Sequence, residues 1–458
     1  MQCFVARTDD TTRRLSAVAK DDYDRWLKDQ PDRIRGWLDG MGVKAKAGTI
    51  SPLPDDNGAP TGFLLILEKA DDIWSWGAAA ARLPEGRYTL DPVPADKDAA
   101  YRACLGWALG SYQFDRYRKR EEPVRELVWP ENADRGAVMA TAGSIYLTRD
   151  LVNTPASDMG PGELASAASA LARDFGGACE TVVGDDLLRE NFPMIHAVGR
   201  ASSRPPRLID LRWGKPAHPK VTLVGKGVCF DTGGLDLKPS GAMLMMKKDM
   251  GGAAQVLGLA RMIMASKLPV NLRVLIPAVE NSVSGDSFRP MDILSTRKGL
   301  TVEVGNTDAE GRLVLGDALT LACEEKPELL IDFATLTGAA RVALGTDLPA
   351  LFTNSDTLAD DLTDGARATQ DPVWRLPLHQ PYASMLDSKI ADTNNISTGG
   401  YAGAITAALF LEKFVESGIE WAHFDLMSWN VSSKPGRPEG GEAQGIRAVF
   451  EAIRGRFG

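Results

Sequence analysis

The feature that most constrains this chain is a repeated alternation, over its C-terminal two-thirds, of short apolar runs with stretches of helical spacing. Val221-Thr222-Leu223-Val224, residues 272–279 and Leu329-Leu330-Ile331-Asp332-Phe333 are nearly continuous apolar runs, the pattern of strands buried on both faces. Between them, residues 252–265 and 313–323 carry the apolar spacing and alanine content of helices. Such a chain predicts an α/β domain with a mostly parallel sheet flanked by helices, because each parallel crossover needs a helix-length connection. Active sites in these sheets sit beyond the carboxyl ends of the strands. The residues that follow each apolar run are therefore the ones to read for chemistry.

The first 135 residues read as a separate, smaller α/β domain. Helical spacing over residues 21–38 mixes there with apolar runs such as Phe63-Leu64-Leu65-Ile66-Leu67. Residues 51–62 and 91–94, rich in proline and glycine, read as surface loops. Residues 121–135 are polar and mark a junction. A helix is predicted over 137–152 and must stop at Asn153-Thr154-Pro155, since proline disfavours helix at the residue before it. The expected division is an N-terminal α/β domain over 1–135, a linking helix over 136–156 and a catalytic domain over 157–458. A length of 458 residues suits that many cores.

Composition removes several classes of function. The formal net charge of -9 opposes binding to phosphate backbones. The one basic run, Arg116-Tyr117-Arg118-Lys119-Arg120, is answered at once by Glu121-Glu122 and reads as a solvated helix end. The five cysteines are scattered and form no CxxC pair, which argues against a disulfide framework or a cysteine zinc site. The four histidines (His196, His218, His379 and His423) form no HExxH pattern, and no GxSxG elbow occurs. No apolar run approaches the ~20 residues needed to cross a bilayer, and no signal-peptide core follows Met1. The cytoplasm is the expected location. Chemistry must then rest on carboxylates and lysines, a donor set that suits Mn²⁺ or Mg²⁺ and also accepts Zn²⁺.

Three clusters offer such groups. In Asn306-Thr307-Asp308-Ala309-Glu310-Gly311-Arg312-Leu313, an extended backbone would turn Asp308, Glu310 and Arg312 to one side. Converging carboxylates raise each other's pKa unless cations intervene. The bland alternative is a solvated turn before a helix. The second cluster is Lys226, Asp231 and Lys238, where Gly233-Gly234 lets the backbone approach a ligand closely. It lacks the phosphate-loop pattern, and two exposed lysines on a turn are the alternative. The third is Asp249, in Met245-Met246-Lys247-Lys248-Asp249-Met250-Gly251-Gly252, which could equally be a helix N-cap.

Together these clusters resemble the leucine aminopeptidase family of dinuclear-metal aminopeptidases. The octapeptide 306–313 looks like that family's signature, and Lys226, Asp231, Lys238, Asp249, Asp308, Glu310 and Arg312 stand in its order and spacing. Leu151-Val152-Asn153-Thr154-Pro155, residues 332–339 and residues 391–408 add to the likeness, which covers residues 140–458. The N-terminal domain resembles the family only loosely. The resemblance implies two divalent ions per subunit, Mn²⁺ or Zn²⁺. Asp231 and Glu310 would bridge them, Asp308 would bind one, and Lys226, as a neutral amine, and Asp249 would bind the other. It implies Lys238 as the oxyanion-stabilising residue and a proton-shuttling bicarbonate at Arg312. Met246, Thr335 and Gly338 would line the pocket for the substrate's first side chain. Met427 stands where the family tends to have a small residue. A metal-activated hydroxide would then attack the first bond of peptides with a free N-terminus, and the subunits would form a homohexamer. The competing readings are a two-metal phosphoesterase and a catalytically silent oligomer.

Overall fold

The computed structural model describes residues 2–118 and 123–458. The basic run at 116–120 and its acidic neighbours thus fall largely outside the described residues. The chain forms two compact units. One comprises Met1–Tyr146 with Ser432–Glu439, the other Leu147–Val431 with Gly440–Gly458. The boundary falls inside the helix Arg135–Asn153, not at residue 135, and residues 432–439 belong to the first unit although the whole of Leu147–Val431 intervenes in sequence.

The first unit holds a six-stranded sheet in the order Phe4–Val5, Arg125–Val128, Gly86–Leu90, Arg13–Ala19, Pro60–Leu67, Ile50–Pro54. All neighbours are parallel except the last pair, which is a hairpin. The segment read as a loop over 51–62 is therefore mostly strand: Pro52 and Pro54 lie on the edge strand, and Pro60 is the first residue of its neighbour, positions where proline is tolerated in a sheet. The helix expected over 21–38 is divided. Tyr23–Lys28 and Asp32–Gly40 are separate helices, broken at Pro31, which is the N-cap of the second.

The second unit is built on a nine-stranded sheet. Its path runs Trp374–Arg375, Ala350–Thr353, Trp421–Asp425, Leu329–Ala334, Lys220–Gly225, Asn271–Asn281, Arg207–Trp213, Ala178–Val183, with Gly227–Asp231 paired beside Asn271–Asn281. The central strands are parallel. Arg207–Trp213 and Ala178–Val183 join antiparallel on one side, and Ala350–Thr353 does so on the other. Helices Gly251–Ala265 and Glu310–Glu324 are nearly buried throughout, which is why their sequences look apolar all round. Val224, Leu275 and Leu330 of the sheet share one core cluster with Leu313, Leu319 and Phe410 of the helices. Burial of this kind contributes roughly 1.5–3 kcal/mol per large apolar side chain, and it fixes the register of the strands whose ends carry the polar residues.

Candidate active site

Four parallel strands of the sheet deliver residues to one place. Lys226 follows Lys220–Gly225, Asp231 ends Gly227–Asp231, Thr335 follows Leu329–Ala334, and Met427 follows Trp421–Asp425. The two helices that return from this edge bring the rest. Asp249 lies in the tight turn Met246–Met250 that leads into Gly251–Ala265, and Glu310 is the first residue of Glu310–Glu324.

Asp308 and Glu310 do converge, but not by strand alternation. Asp308 lies in a turn closed by its N–H donating to Asn306 Oδ1 at 2.7 Å, and the helix begins at Glu310. Arg312 is helical and does not continue a shared strand face. Its Nη1 donates to the Asn395 carbonyl oxygen at 2.7 Å. Asp249 is not an N-cap: Met250 holds that position, while Asp249 Oδ1 accepts the Thr335 hydroxyl at 2.7 Å.

Oxygen atoms of Asp231, Asp308 and Glu310 lie within 4.8 Å of one another. Lys226, only 3% exposed, sets its Nζ 2.7 Å from Asp249 Oδ2 and 3.1 Å from Glu310 Oε1, and donates to the Thr335 carbonyl oxygen at 3.1 Å. Gly311 makes room for it, since a Cβ there would stand 2.7 Å from Lys226 Nζ. Lys238 reaches Asp231 Oδ2 at 2.9 Å and also pairs with Asp308. Gly233 and Gly234 have φ of +89° and +67°, so the loop between Asp231 and Lys238 needs residues without a Cβ. In that loop the Gly233 N–H donates to Asp231 Oδ1 at 2.8 Å.

The electrostatics follow from burying four carboxyls with two lysines. Burial, then the charge of Asp231, pushes Glu310 up to about 8. Burial and Asp231 likewise raise Asp308 to about 6, against the opposing pull of Lys238. Burial pulls the Lys226 ammonium down, but Asp249, Glu310 and Asp231 outweigh it and hold its proton more tightly than usual. Lys238 is raised in the same way by Asp231 and Asp308. Burial lowers Arg312 to about 10, which leaves it charged at neutral pH. Both oxygens of Glu310, Asp249 Oδ2 and Asp308 Oδ1 are buried with no neutral hydrogen-bond donor among the described residues; the ammoniums of Lys226 and Lys238 meet three of these four and leave Glu310 Oε2 without a partner. Such orphaned oxygens are costly unless a cation meets them.

Lys226, Asp231, Lys238, Asp249, Asp308 and Arg312 all face one cavity of about 730 Å³, beneath which Glu310 is buried. Met246, Thr335, Gly338 and Met427 line the same cavity. Sequence reading missed several residues that hold this arrangement. Asn281 donates to Asp231 Oδ1 at 2.8 Å and to the Thr307 carbonyl oxygen at 3.1 Å. Asn395 donates to the Asn306 carbonyl oxygen at 2.7 Å, so it clamps the 306–310 turn while receiving Arg312. Asp425 accepts the N–H groups of Leu336 and Thr337. Asn281 and Asp425 stand at the ends of mostly apolar strands and Asn395 in a polar stretch, signals too common to single out.

Comparison with known proteins agrees with this geometry. The model of the cytosol aminopeptidase catalytic domain matches residues 146–450, and that of the M17 aminopeptidase N-terminal domain matches residues 14–130. The N-terminal likeness is thus firmer than its sequence suggested. A probable cytosol aminopeptidase of Rhizobium meliloti is 37% identical over 92% of both chains. One of Chlamydia abortus is 46% identical over 75% of this chain and 72% of its own. The crystal structure of the Coxiella burnetii cytosol aminopeptidase superposes with a TM-score of 0.96 at 50% identity, covering 100% of both chains. The bottromycin maturation enzyme BotP in complex with Mn gives 0.87 at 32% identity, covering 98% of this chain and 100% of that one. Both units of the chain are accounted for, and the chain belongs to the cytosol aminopeptidase family, metal-dependent hydrolases that remove the N-terminal residue of a peptide.

Proposed function

We propose that Lys226, Asp231, Asp249, Asp308 and Glu310 hold two divalent ions, and that Lys238 and Arg312 complete the catalytic site. The observation that carries this is the cluster of buried carboxylate oxygens: three are met only by lysine ammoniums, and Glu310 Oε2 has no protein donor among the described residues. A donor set of carboxylates and one amine fits Mn²⁺ or Zn²⁺. Bound there, the ions would supply Lewis acidity for the scissile carbonyl and an acidified water. Asp231, in contact with Lys238, and Glu310, in contact with Lys226, would be the shared carboxylates, since their oxygens lie within 4.8 Å of one another. Asp308 would hold one ion, and Lys226 with Asp249 would hold the other. Lys226 can ligate only as the free amine, so the incoming charge must displace the proton that its carboxylates now hold.

Lys238 is partly exposed to the cavity and places a cation where negative charge develops on the carbonyl oxygen. Arg312 lines the cavity and its Nε has no hydrogen-bond partner among the described residues, which leaves donor capacity for a bicarbonate ion. Met246, Thr335, Gly338 and Met427 would receive the first side chain. The same reading includes a homohexamer in the cytoplasm. No helix of the described residues is long and apolar enough to cross a membrane.

The test is an aminoacyl amide assayed beside a phosphate ester after chelation and after return of Mn²⁺ or Zn²⁺, with metal content measured per chain. The expected result is two ions per chain and amide turnover that is lost with them. In Glu310→Gln, turnover should fall by at least about a hundredfold, as for loss of a preorganised charge in a dry site. Full amide turnover in excess chelator, or in Glu310→Gln, would sink the two-metal assignment.

A further inference from the structure

We propose that the pocket for the substrate's first side chain is built to accept an acidic residue, glutamate above all, and that Arg341 is the residue that selects it. This rests on the aminopeptidase site described above and concerns only the wall that the substrate's side chain would touch.

Two cations that take no part in the metal cluster line that wall. Lys248 is only 5% exposed, yet it lines the cavity and no salt bridge or hydrogen bond involves its ammonium among the described residues. Arg341 belongs to the helix Gly338–Leu344, which begins at the pocket residue Gly338. Its Nη1 stands 3.7 Å from Met427 Sδ, and its Nη2 would stand 3.6 Å from a Cβ placed on Gly338. Met427 is therefore more than a bulkier pocket residue: its thioether, a weak acceptor, supports the guanidinium at the pocket wall. Among the described residues no carboxylate comes within ion-pair distance of Lys248 or Arg341; the nearby carboxylates pair instead with Lys226 and Lys238.

Outside the metal cluster, the acid lining this cavity is Asp425, and its oxygens are already engaged. Oδ1 accepts the N–H groups of Leu336 and Thr337, each at 3.0 Å, and Oδ2 accepts the Thr337 hydroxyl at 2.5 Å. The wall thus presents positive charge with no carboxylate in ion-pair contact among the described residues. An aliphatic first residue would leave that charge facing hydrocarbon, which is unfavourable. A side-chain carboxylate would meet a guanidinium able to donate two parallel hydrogen bonds. Sites built to pair a substrate's polar group reject analogues that lack it.

The test is kcat/KM for glutamyl, glutaminyl and leucyl amides with the metal-loaded full chain, in wild type, Arg341→Met and Arg341→Glu. In wild type the glutamyl substrate is expected to be turned over at least as well as the glutaminyl one. In Arg341→Met the glutamyl-to-leucyl ratio should fall by about tenfold or more, the usual weight of a hydrogen bond to a charged group. In Arg341→Glu the preference should move toward a lysyl amide, a gain that general damage to the fold cannot produce. An unchanged ratio in Arg341→Met, or wild-type turnover of leucyl but not glutamyl amides, overturns the assignment while leaving the aminopeptidase reading intact. Turnover of none of the amides overturns both.

Discussion

Glu310 is buried among three other carboxyls, with one lysine in contact and one oxygen that no protein group meets. Its ordinary value of 4.5 rises to about 8 through burial first and Asp231 second. Between those two values the metal-free folded chain holds a proton that the unfolded chain has lost. Stability therefore declines as pH rises through that window. The metal-free protein should show a melting temperature that falls from pH 5 toward about 8, and Glu310→Gln should flatten that slope. Thermal unfolding of both forms in chelator checks this. A slope of the opposite sign would mean that Glu310 is ionised in the metal-free fold. At this scale the sequence was informative about residue types: carboxylates and lysines without histidine already pointed to an oxygen-rich site. It was misleading about how Asp308 and Glu310 meet, because residues two apart can converge through a turn and a helix start as well as along a strand. Only the backbone conformation distinguishes the two.

The helix Gly251–Ala265 shows how an element positions the site. A Cβ on Gly252 would collide with the Phe333 carbonyl oxygen and come within 2.8 Å of Lys226 N. The same junction is closed by Lys226 N–H donating to Phe333 at 3.0 Å and by Ala253 N–H donating to Lys226 at 2.8 Å. The glycine thus lets the helix start touch two strands at the level of Lys226. Gly252→Ala is expected to destabilise the chain by about 1–3 kcal/mol through overpacking, and to lower kcat by moving Lys226 against its carboxylates. Denaturant unfolding and steady-state kinetics on the variant test the two effects separately; wild-type values in both would remove the argument. The strands and helices read from apolar runs and alanine content in this domain end within a residue or two of the observed ones, except that the helix read over 313–323 starts three residues earlier, at Glu310. The hairpin at 50–67 and the break at Pro31 were not, because proline marks both loops and edge strands, and its effect depends on which backbone groups face solvent.

At the scale of the whole molecule, ions that bind the folded chain and not the unfolded one must stabilise it. An ion at a hundred times its Kd adds about 2.7 kcal/mol. Mn²⁺ or Zn²⁺ should therefore raise the melting temperature, and more so at pH 8 than at pH 6, since bound ions compete with protons on Glu310 and Asp308. Calorimetry in buffers of different ionisation heat should also register proton release. Absence of any metal-dependent shift would contradict the site as drawn. The return of residues 432–439 to the first unit belongs to this scale as well. No local pattern announces a long-range chain crossing, because periodicity reports only which face of an element is buried.

By itself the sequence determined the class of the fold, the chemistry of the donors and the family whose motif they spell. Those depend on local spacing and residue type, which survive without coordinates. The tertiary structure alone decided which polar residues hold the clustered carboxylates and lysines in place, namely Asn281, Asn395 and Thr335, and which further cations line their cavity. Arg341 and Met427 are separated by 86 residues and meet at 3.7 Å only because strands packed side by side bring distant loops to one edge.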